Sequence, residues 1–99
     1  MRKYSERDKL LISIYSTRFL KDLKRCRKRG LDIQKLESII IDLQNEKQPD
    51  PKYRVHPMHG EYAGYMECHI EPDWLLIYLI DQEKKEIYLT RTGTHSDLF

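Results

Sequence analysis

The sequence predicts an α+β fold in which two helices pack on one face of a mostly antiparallel sheet. Two observations lead to this prediction. Apolar residues recur at helical spacing up to residue 43, and after Pro51 the spacing changes to the alternation that is typical of strands. The element order is one short strand, two helices and then three strands with hairpin-sized links, which places both helices on a single sheet face.

The chain has 99 residues and a mass of 12.0 kDa, which leaves room for one domain with one modest core. Residues 1–9 are polar and show no apolar period, so we expect them to form an N-terminal tail. We assign residues 10–99 to a single domain.

The first predicted elements are a strand and a basic amphipathic helix. Residues 10–15 form a short apolar run with β-branched side chains, which indicates a strand. Ser16 or Thr17 can cap a helix that ends before Gly30, since glycine readily adopts the conformation that follows many helices. The apolar positions of this helix share one side: Phe19, Leu20, Leu23 and Cys26.

A second helix is predicted to begin after Asp32, whose carboxylate can cap it. It must end before Pro49 and Pro51, because proline lacks an N–H donor and has a fixed φ angle. Apolar residues at intervals of three and four form its buried side: Ile33, Leu36, Ile39, Ile40 and Leu43.

The second half of the chain is predicted to be a meander. We interpret its segments as a short extended stretch that Pro57 ends, a loop and three strands, at 53–56, 59–64, 65–70, 74–80 and 86–92. Residues 74–80 are apolar in both phases, as expected for a central strand that is covered on both faces.

Residues 65–70 alternate, which assigns their side chains to two faces. One set is the natural core face: Met66, Cys68 and Ile70. The other set is Tyr65, Glu67 and His69.

Charge is distributed unevenly along the chain. Residues 1–30 hold eleven Lys/Arg against three acids, a net +8, whereas residues 31–99 hold seven against thirteen, a net −6. The basic part suits a polyanionic partner.

Cys26 and Cys68 follow no signal-peptide pattern, and no apolar run approaches the roughly 20 residues that span a bilayer. We therefore expect reduced, buried, inert thiols in a cytoplasmic protein without a membrane partner.

In a meander, the end of strand 65–70, the start of strand 74–80 and the end of strand 86–92 lie at the same end of the sheet. We therefore expect five residues to meet there: His69, Asp73, Trp74, Arg91 and His95. His56 joins them if its segment runs back beside strand 65–70.

This set provides what cleavage of an RNA phosphodiester needs. Imidazoles can act as the base for the 2′-hydroxyl and as the acid for the leaving 5′-oxygen, and Arg91 can face the phosphate. No metal or other cofactor is required. Aromatic residues that can stack on an unpaired base lie nearby in the sequence: Tyr62, Tyr65, Trp74 and Phe99.

Taken singly, each residue also has a structural interpretation. Trp74 suits a core, Asp73 suits a turn after proline, and Arg91 can pair with a strand neighbour. A zinc site is a competing interpretation, with candidate ligands His56, His59, Cys68, His69 and His95. There is no CxxC pair, and adjacent Cys68 and His69 point to opposite faces of a strand, so the spacing argues against zinc.

Two segments resemble the YafQ-type branch of the RelE/ParE toxin superfamily. The first runs from His56-Pro-Met-His-Gly-Glu-Tyr through His69-Ile-Glu-Pro-Asp-Trp-Leu-Leu-Ile-Tyr78. The second is Leu89-Thr-Arg-Thr-Gly-Thr-His-Ser-Asp-Leu-Phe99. The resemblance extends weakly back to about Leu10 and implies a small RelE-like fold.

The resemblance implies a type II toxin that cleaves mRNA on the ribosome, with the basic helix at 17–29 docked on ribosomal RNA. It also implies a RelB/DinJ-like antitoxin, through which alone the toxin would reach operator DNA. The functional residues of the family fall on His56, His69, Asp73, Trp74, His95 and Phe99. The resemblance implies that His95 is the acid, that His69 or His56 is the base, that Asp73 orients an imidazole, and that Trp74 and Phe99 shape a nucleotide pocket.

One departure bears on activity. Met66 stands where relatives usually carry arginine, although its strand phase favours a packing role, so we expect activity to persist. Two other functions stay open at this point. The chain could be a catalytically weak or inactive module that binds its antitoxin and regulates its operon, or a free-standing binder of single-stranded RNA.

Overall fold

The computed structural model describes residues 10–99, so the expected tail at 1–9 lies outside the described residues. It shows a five-stranded mixed sheet with three helices, which confirms the predicted α+β class. The strand order across the sheet is β1-β5-β4-β3-β2. No helix among residues 10–99 has the length and apolar character to cross a membrane.

The N-terminal part forms as its sequence predicts. Strand β1 is Ile12–Tyr15, helix α1 is Thr17–Lys28 and helix α2 is Ile33–Gln44. Ser16 caps α1 by accepting from the Phe19 N–H, and Asp32 caps α2 by accepting from the Gln34 N–H. Strand β1 runs parallel to the last strand of the chain. This pairing makes the sheet mixed.

The meander consists of β3 (Met66–Glu71), β4 (Trp74–Asp81) and β5 (Glu86–Gly93), paired antiparallel. Strand β4 is central, as predicted. Two β-bulges interrupt the register, one at Ile70 of β3 and one at Thr90 of β5. A bulge shifts the alternation by one residue, so side chains beyond it change face.

The segment before the meander differs from the predicted extended stretch at 53–56. Pro51–Tyr53 form a 3₁₀ turn, and the paired strand β2 is His56–Pro57, which includes the proline expected to end it. Proline is tolerated because β2 is the edge strand and makes only two residue pairs with β3. This pairing places His56 beside β3, as the sequence hypothesis required.

Both predicted helices contribute to a core on one face of the sheet, which we call the helix-side core. Its buried members are Leu11, Phe19, Cys26, Leu36, Ile39, Ile40, Leu43, Cys68, Ile70, Trp74, Leu76, Tyr78, Ile87 and Leu89. Met66 packs against it, which confirms the predicted phase of β3. Both cysteines are free and buried, and burial raises the pKa of the Cys68 thiol to about 12.

The other face of the sheet, the open face, has a much smaller cover. Leu75 and Ile77 of β4 pack there against Leu98. Leu98 belongs to a third helix, α3 (His95–Leu98), which the sequence did not predict. Four residues cannot show a helical period, but Thr94 and Asp97 carry the signature of a capping box. The sparse cover leaves His56 of β2 exposed and His69 of β3 partly exposed on this face.

Candidate active site

Three histidines from separate segments form a row on the open face. The ring centroids of His56 and His69 are 5.8 Å apart, and those of His69 and His95 are 6.2 Å apart. His56 comes from β2, His69 from β3 and His95 from the first position of α3. The folded chain therefore brings the three predicted imidazoles within reach of one nucleotide.

Glu67 lies between two of these imidazoles and was not among the predicted site residues. Its Oε1 is 3.0 Å from His56 Nε2 and 3.3 Å from His69 Nε2. Glu67 is only 7% exposed, so this carboxylate is shielded from bulk water. The alternation of β3 had already placed it on the same face as His69, and that was the signal that could have identified it.

Asp73 fixes the orientation of His95. One oxygen of Asp73, Oδ1, accepts from the His95 backbone N–H at 3.1 Å and lies 2.7 Å from His95 Nδ1. The hydrogen bond from the His95 backbone N–H, and to a smaller extent the one from the His95 side chain, holds the pKa of Asp73 below its usual range. With Nδ1 turned toward Asp73, Nε2 of His95 is free for another partner.

Helix α3, which carries His95, is itself anchored by Asp97. The Thr94 hydroxyl accepts from the Asp97 N–H, and Asp97 Oδ2 accepts from the Thr94 N–H at 2.9 Å. Arg29, at the end of α1, donates to both carboxylate oxygens at 2.6 and 3.0 Å. Arg29 holds the pKa of Asp97 well below its usual range. Gly93 is required here, because a Cβ would lie 2.9 Å from Asp97 Oδ2 and φ is +155°.

A cleft of about 510 Å³ lies on the open face beside α3. Phe99 forms part of its wall and contacts Tyr62 edge to face, with ring centroids 6.1 Å apart. Tyr62 in turn contacts Tyr65 at 5.8 Å. Arg18 and His59 also line the cleft, although neither was a predicted binding residue. Aromatic rings and cations together suit a nucleotide.

Arg91 lies in the wall of this cleft but is not a free cation. It is 7% exposed, and Asp22 of α1 accepts from its Nε at 2.7 Å and its Nη2 at 3.2 Å. Asp22 also accepts from the Thr92 N–H. This bond joins α1 to β5 beyond the residues of β5 that pair with β1. Arg91 therefore joins α1 to the sheet, a role that its sequence position did not indicate.

Trp74 is not part of the exposed site, contrary to the sequence prediction. It is 1% exposed and belongs to the helix-side core, and its indole N–H donates to Thr92 Oγ1 at 2.9 Å. Strand β4 is apolar in both phases, so the alternation gave no indication of which face Trp74 occupies. We exclude it from the nucleotide-binding surface.

The described residues contain one group of side chains that could hold a metal ion. His56, Glu67 and His69 offer ligand atoms that all lie within 4.8 Å of one another. This set differs from the zinc ligands considered from the sequence, because Cys68 is buried on the helix side and His59 lines the cleft. Two imidazoles and one carboxylate suit a divalent transition metal.

The row can also transfer protons without a metal. His95 has a fixed ring and a free Nε2, while His56, Glu67 and His69 provide basic atoms close by. An acid and a base on either side of one bond are what general acid–base catalysis needs.

Comparison with known proteins identifies the family. Residues 12–99 match the model of the family described as "Bacterial toxin of type II toxin-antitoxin system, YafQ". The Escherichia coli K12 protein named mRNA interferase toxin YafQ is 42% identical over 86 residues, which cover 86% of this chain and 91% of the relative.

Solved structures agree with the family match. The toxin fold of the E. coli DinJ-YafQ toxin-antitoxin complex superimposes with a TM-score of 0.81 at 40% identity, covering 91% of this chain and 98% of that chain. A metal-bound toxin from Helicobacter pylori gives a TM-score of 0.84 at 40% identity, covering 91% and 99%. The chain belongs to the YafQ family of toxins from bacterial type II toxin-antitoxin systems.

Proposed function

We propose that this chain is an mRNA endoribonuclease that acts on the translating ribosome and inhibits translation as the toxin of a type II pair. The observation that carries the proposal is the histidine row on the open face, in which Asp73 orients His95. The E. coli relative is named an mRNA interferase, which supports the same substrate and reaction.

His95 is the proposed general acid. Its Nδ1 faces the Asp73 carboxylate, which orients the ring so that Nε2 points away from Asp73 and can carry the proton that the leaving oxygen takes. That proton goes to the 5′-oxygen as the P–O5′ bond breaks. Asp73 acts through His95, so it is a positioning residue that touches no RNA.

The base that takes the 2′-hydroxyl proton is His69 or His56, acting with Glu67. Glu67 Oε1 lies within 3.3 Å of Nε2 of both rings, so the carboxylate positions the two imidazoles for the reaction. The 2′-oxygen then attacks phosphorus, which leaves a 2′,3′-cyclic phosphate and a free 5′-hydroxyl. This transesterification consumes no water and uses no cofactor.

RNA contacts outside the reacting atoms are assigned to the cleft and to α1. Phe99 and Tyr62 can stack on a base, and exposed Arg18 can face a phosphate. Arg91 contributes mainly by holding α1 to the sheet through Asp22. Residues 17–29 carry the basic surface proposed to dock on ribosomal RNA, and such contacts weaken steeply with salt.

The proposed partner is a DinJ-like antitoxin. Complexes of the E. coli relative with DinJ have been solved, which supports a partner of this type for this chain. Operator DNA would be reached only through the antitoxin. The proposed site of action is the cytoplasm, where translating ribosomes are found.

The test is cleavage of mRNA on ribosomes programmed with a defined message and stalled at a known codon. We expect the wild-type chain to cut at defined positions, and the His95→Ala variant to be slower by about 10²- to 10⁴-fold while staying folded. Naked mRNA is the control for ribosome dependence. A wild-type chain that cuts no message would contradict the proposal and favour the antitoxin-binding module without catalysis.

A chelator arm of the same assay tests metal independence. The H. pylori relative is described as metal-bound, and His56, Glu67 and His69 could hold a divalent ion here. Such an ion would supply Lewis-acid chemistry, but it would also occupy the lone pairs that the base needs. We therefore expect added Zn²⁺ to slow cleavage. Loss of cleavage with a chelator that leaves the ribosomes intact, restored by Zn²⁺, would overturn the metal-independent mechanism.

A further inference from the structure

A pocket of about 280 Å³ lies at the outer edge of β3, where that edge has no strand beside it. Strand β2 pairs only with Met66 and Glu67, whereas β3 continues to Glu71, so within residues 10–99 the last part of β3 has no strand on this side. The 3₁₀ turn and α2 complete the wall. We call it the basic pocket and define it by five of its lining side chains: Lys35, Lys52, Arg54, His69 and Glu71.

The charge of the basic pocket favours an anion. Three cations against one carboxylate give it a net charge of +2 with His69 neutral. Lys35 Nζ lies 3.1 Å from Glu71 Oε2, so these two groups neutralise each other. Lys52 and Arg54 are exposed and make no ion pair within residues 10–99. A guanidinium and an ammonium that line one small pocket suit a phosphate group.

Arg54 occupies its place in this wall at a cost to the backbone. Its φ of +46° and ψ of +55° lie in the left-handed region, which a residue with a Cβ seldom adopts. Its N–H donates to Pro51 O at 3.0 Å and closes the 3₁₀ turn. Glycine would suit this conformation better, so the backbone does not explain an arginine here. The guanidinium is the part of this residue that needs a function.

The basic pocket adjoins both imidazoles that are proposed as the base. His69 lines the pocket, and His56 follows Arg54 by two residues. His95, the proposed acid, is not among the lining residues. The base acts on the nucleotide that carries the 2′-hydroxyl, which lies on the 5′ side of the scissile bond. The pocket therefore lies where the 5′ part of the message is expected.

The cleft beside α3 serves the other side of the histidine row. It shares no lining residue with the basic pocket, and its Phe99 directly follows α3, which begins at His95. A message that crosses the row can place one base against the rings of the cleft and an upstream phosphate in the basic pocket.

We propose that the basic pocket binds the mRNA phosphate one nucleotide to the 5′ side of the scissile linkage, with Lys52 and Arg54 as its ligands. This inference rests on the proposed function, because that function makes mRNA the substrate of the row. Binding of this phosphate holds the attacking nucleotide beside His69. Phosphate contacts fix the register of a nucleic acid and carry no sequence information, so the pocket strengthens the binding of every message equally.

The first test compares two double variants in single-turnover cleavage of mRNA on programmed ribosomes, with the toxin in excess. Lys52→Gln/Arg54→Gly removes both phosphate ligands and places glycine at a left-handed position. Lys84→Gln/Lys85→Gly is the matched control in the link between β4 and β5, because both lysines are exposed and φ of Lys85 is +54°. Each variant lowers the formal net charge from +2 to 0.

We expect the pocket variant to need an about tenfold higher toxin concentration for half the maximal cleavage rate, and to depend less steeply on salt. The control variant keeps the wild-type concentration. Urea unfolding checks that both variants are folded. Arg54→Gly alone is the second variant if the double one does not fold, and the same shift, though smaller, is expected of it.

The second test identifies the phosphate. Single phosphates of the message are replaced by uncharged methylphosphonate, one at the 5′ neighbour of the scissile linkage and one at its 3′ neighbour. At the 5′ neighbour, the wild-type chain loses about tenfold in half-maximal concentration and the pocket variant loses nothing further, since its ligands are already gone. At the 3′ neighbour, both chains lose equally.

The outcomes separate this inference from the proposed function. Equal half-maximal concentrations for the pocket variant and the control would overturn the inference alone. A weakened pocket variant that still loses as much as wild type at both methylphosphonates would assign the pocket to ribosomal RNA and overturn the inference, as would a loss shared only at the 3′ neighbour. A wild-type chain that cuts no message would overturn the proposed function and the inference with it.

Discussion

On the helix side of the sheet, β3 and β4 present a continuous apolar surface to α1 and α2. On the open side, the same strands present Glu67 and His69 beside a cluster of only three buried residues, Leu75, Ile77 and Leu98. Cys68 and His69 are adjacent, yet one is a buried thiol with a pKa raised to about 12 and the other belongs to the histidine row. The face with less cover is the one left free for chemistry.

The adjacent pair Cys68 and His69 gives the largest expected contrast. His69→Ala should slow mRNA cleavage by about 10²-fold or more, because it removes an imidazole between His56 and His95. Cys68→Ala should leave the cleavage rate unchanged and lower the free energy of unfolding by about 1 kcal/mol, because it opens a small cavity. Ribosome assays and urea unfolding measure the two effects. Equal losses of activity in the two variants would remove the distinction between the faces.

Trp74 lies in the helix-side core, whereas the resemblance implied that it shapes a nucleotide pocket. Two substitutions distinguish these roles. Trp74→Ala should lower the free energy of unfolding by about 3–5 kcal/mol, because the indole is fully buried. Trp74→Phe keeps most of the volume and leaves Thr92 Oγ1 donating to Leu75 O, so it should cleave mRNA at the wild-type rate. A stable Trp74→Phe chain that cleaves tenfold more slowly would place Trp74 in contact with RNA after all.

The fold was predictable where periodicity was long enough to be visible. Both helices, their caps at Ser16 and Asp32, and the central strand follow from apolar spacing. Helix α3 was missed because four residues hold barely one turn. The bulges at Ile70 and Thr90 were missed because no local residue pattern marks them.

The site was predictable in outline from the positions of its imidazoles and Asp73. The side chains that contact these residues or hold their elements in place were not predictable. Glu67 shares the phase of His69, but phase alone does not show that a carboxylate sits 3.3 Å from a ring. Arg91 and Asp22 are 69 residues apart in sequence, so their ion pair depends on tertiary packing. The same applies to Arg29 and Asp97.

Asp97 stabilises α3, the only α-helix on the open face among residues 10–99. Asp97→Ala should lower the free energy of unfolding by about 1–2 kcal/mol at pH 7, because alanine can accept neither from the Thr94 N–H nor from Arg29. Arg29 is 44% exposed, so water screens the pair and its share is small.

The pH dependence of this difference has a definite sign. The pKa of Asp97 is lowered in the folded chain, so its contribution is complete above the unfolded value of about 4. It is lost as the pH falls through the lower folded value. Urea unfolding at pH 7 and at pH 3 should therefore show a smaller difference between wild type and variant at pH 3. A difference that grows on acidification would be the wrong sign for this account.

Met66 gives the smallest expected effect. It packs against the helix-side core, so the missing arginine leaves the open face intact. We expect the wild-type chain to cleave mRNA, and the rate of Met66→Arg to differ from it by less than about tenfold, because the long stem can carry the charge to the surface. An inactive wild type beside an active Met66→Arg chain would show that this position supplies a cation to the site.

The most direct test of the histidine row replaces the 5′-oxygen of the scissile linkage with sulfur in a ribosome-bound mRNA. Thiolate leaves without protonation, so this substrate does not need a general acid. We expect sulfur to restore the cleavage rate of His95→Ala to near the wild-type value, while Glu67→Gln stays slow on both substrates. A His95→Ala variant that remains equally slow with sulfur would contradict the assignment of His95 as the acid.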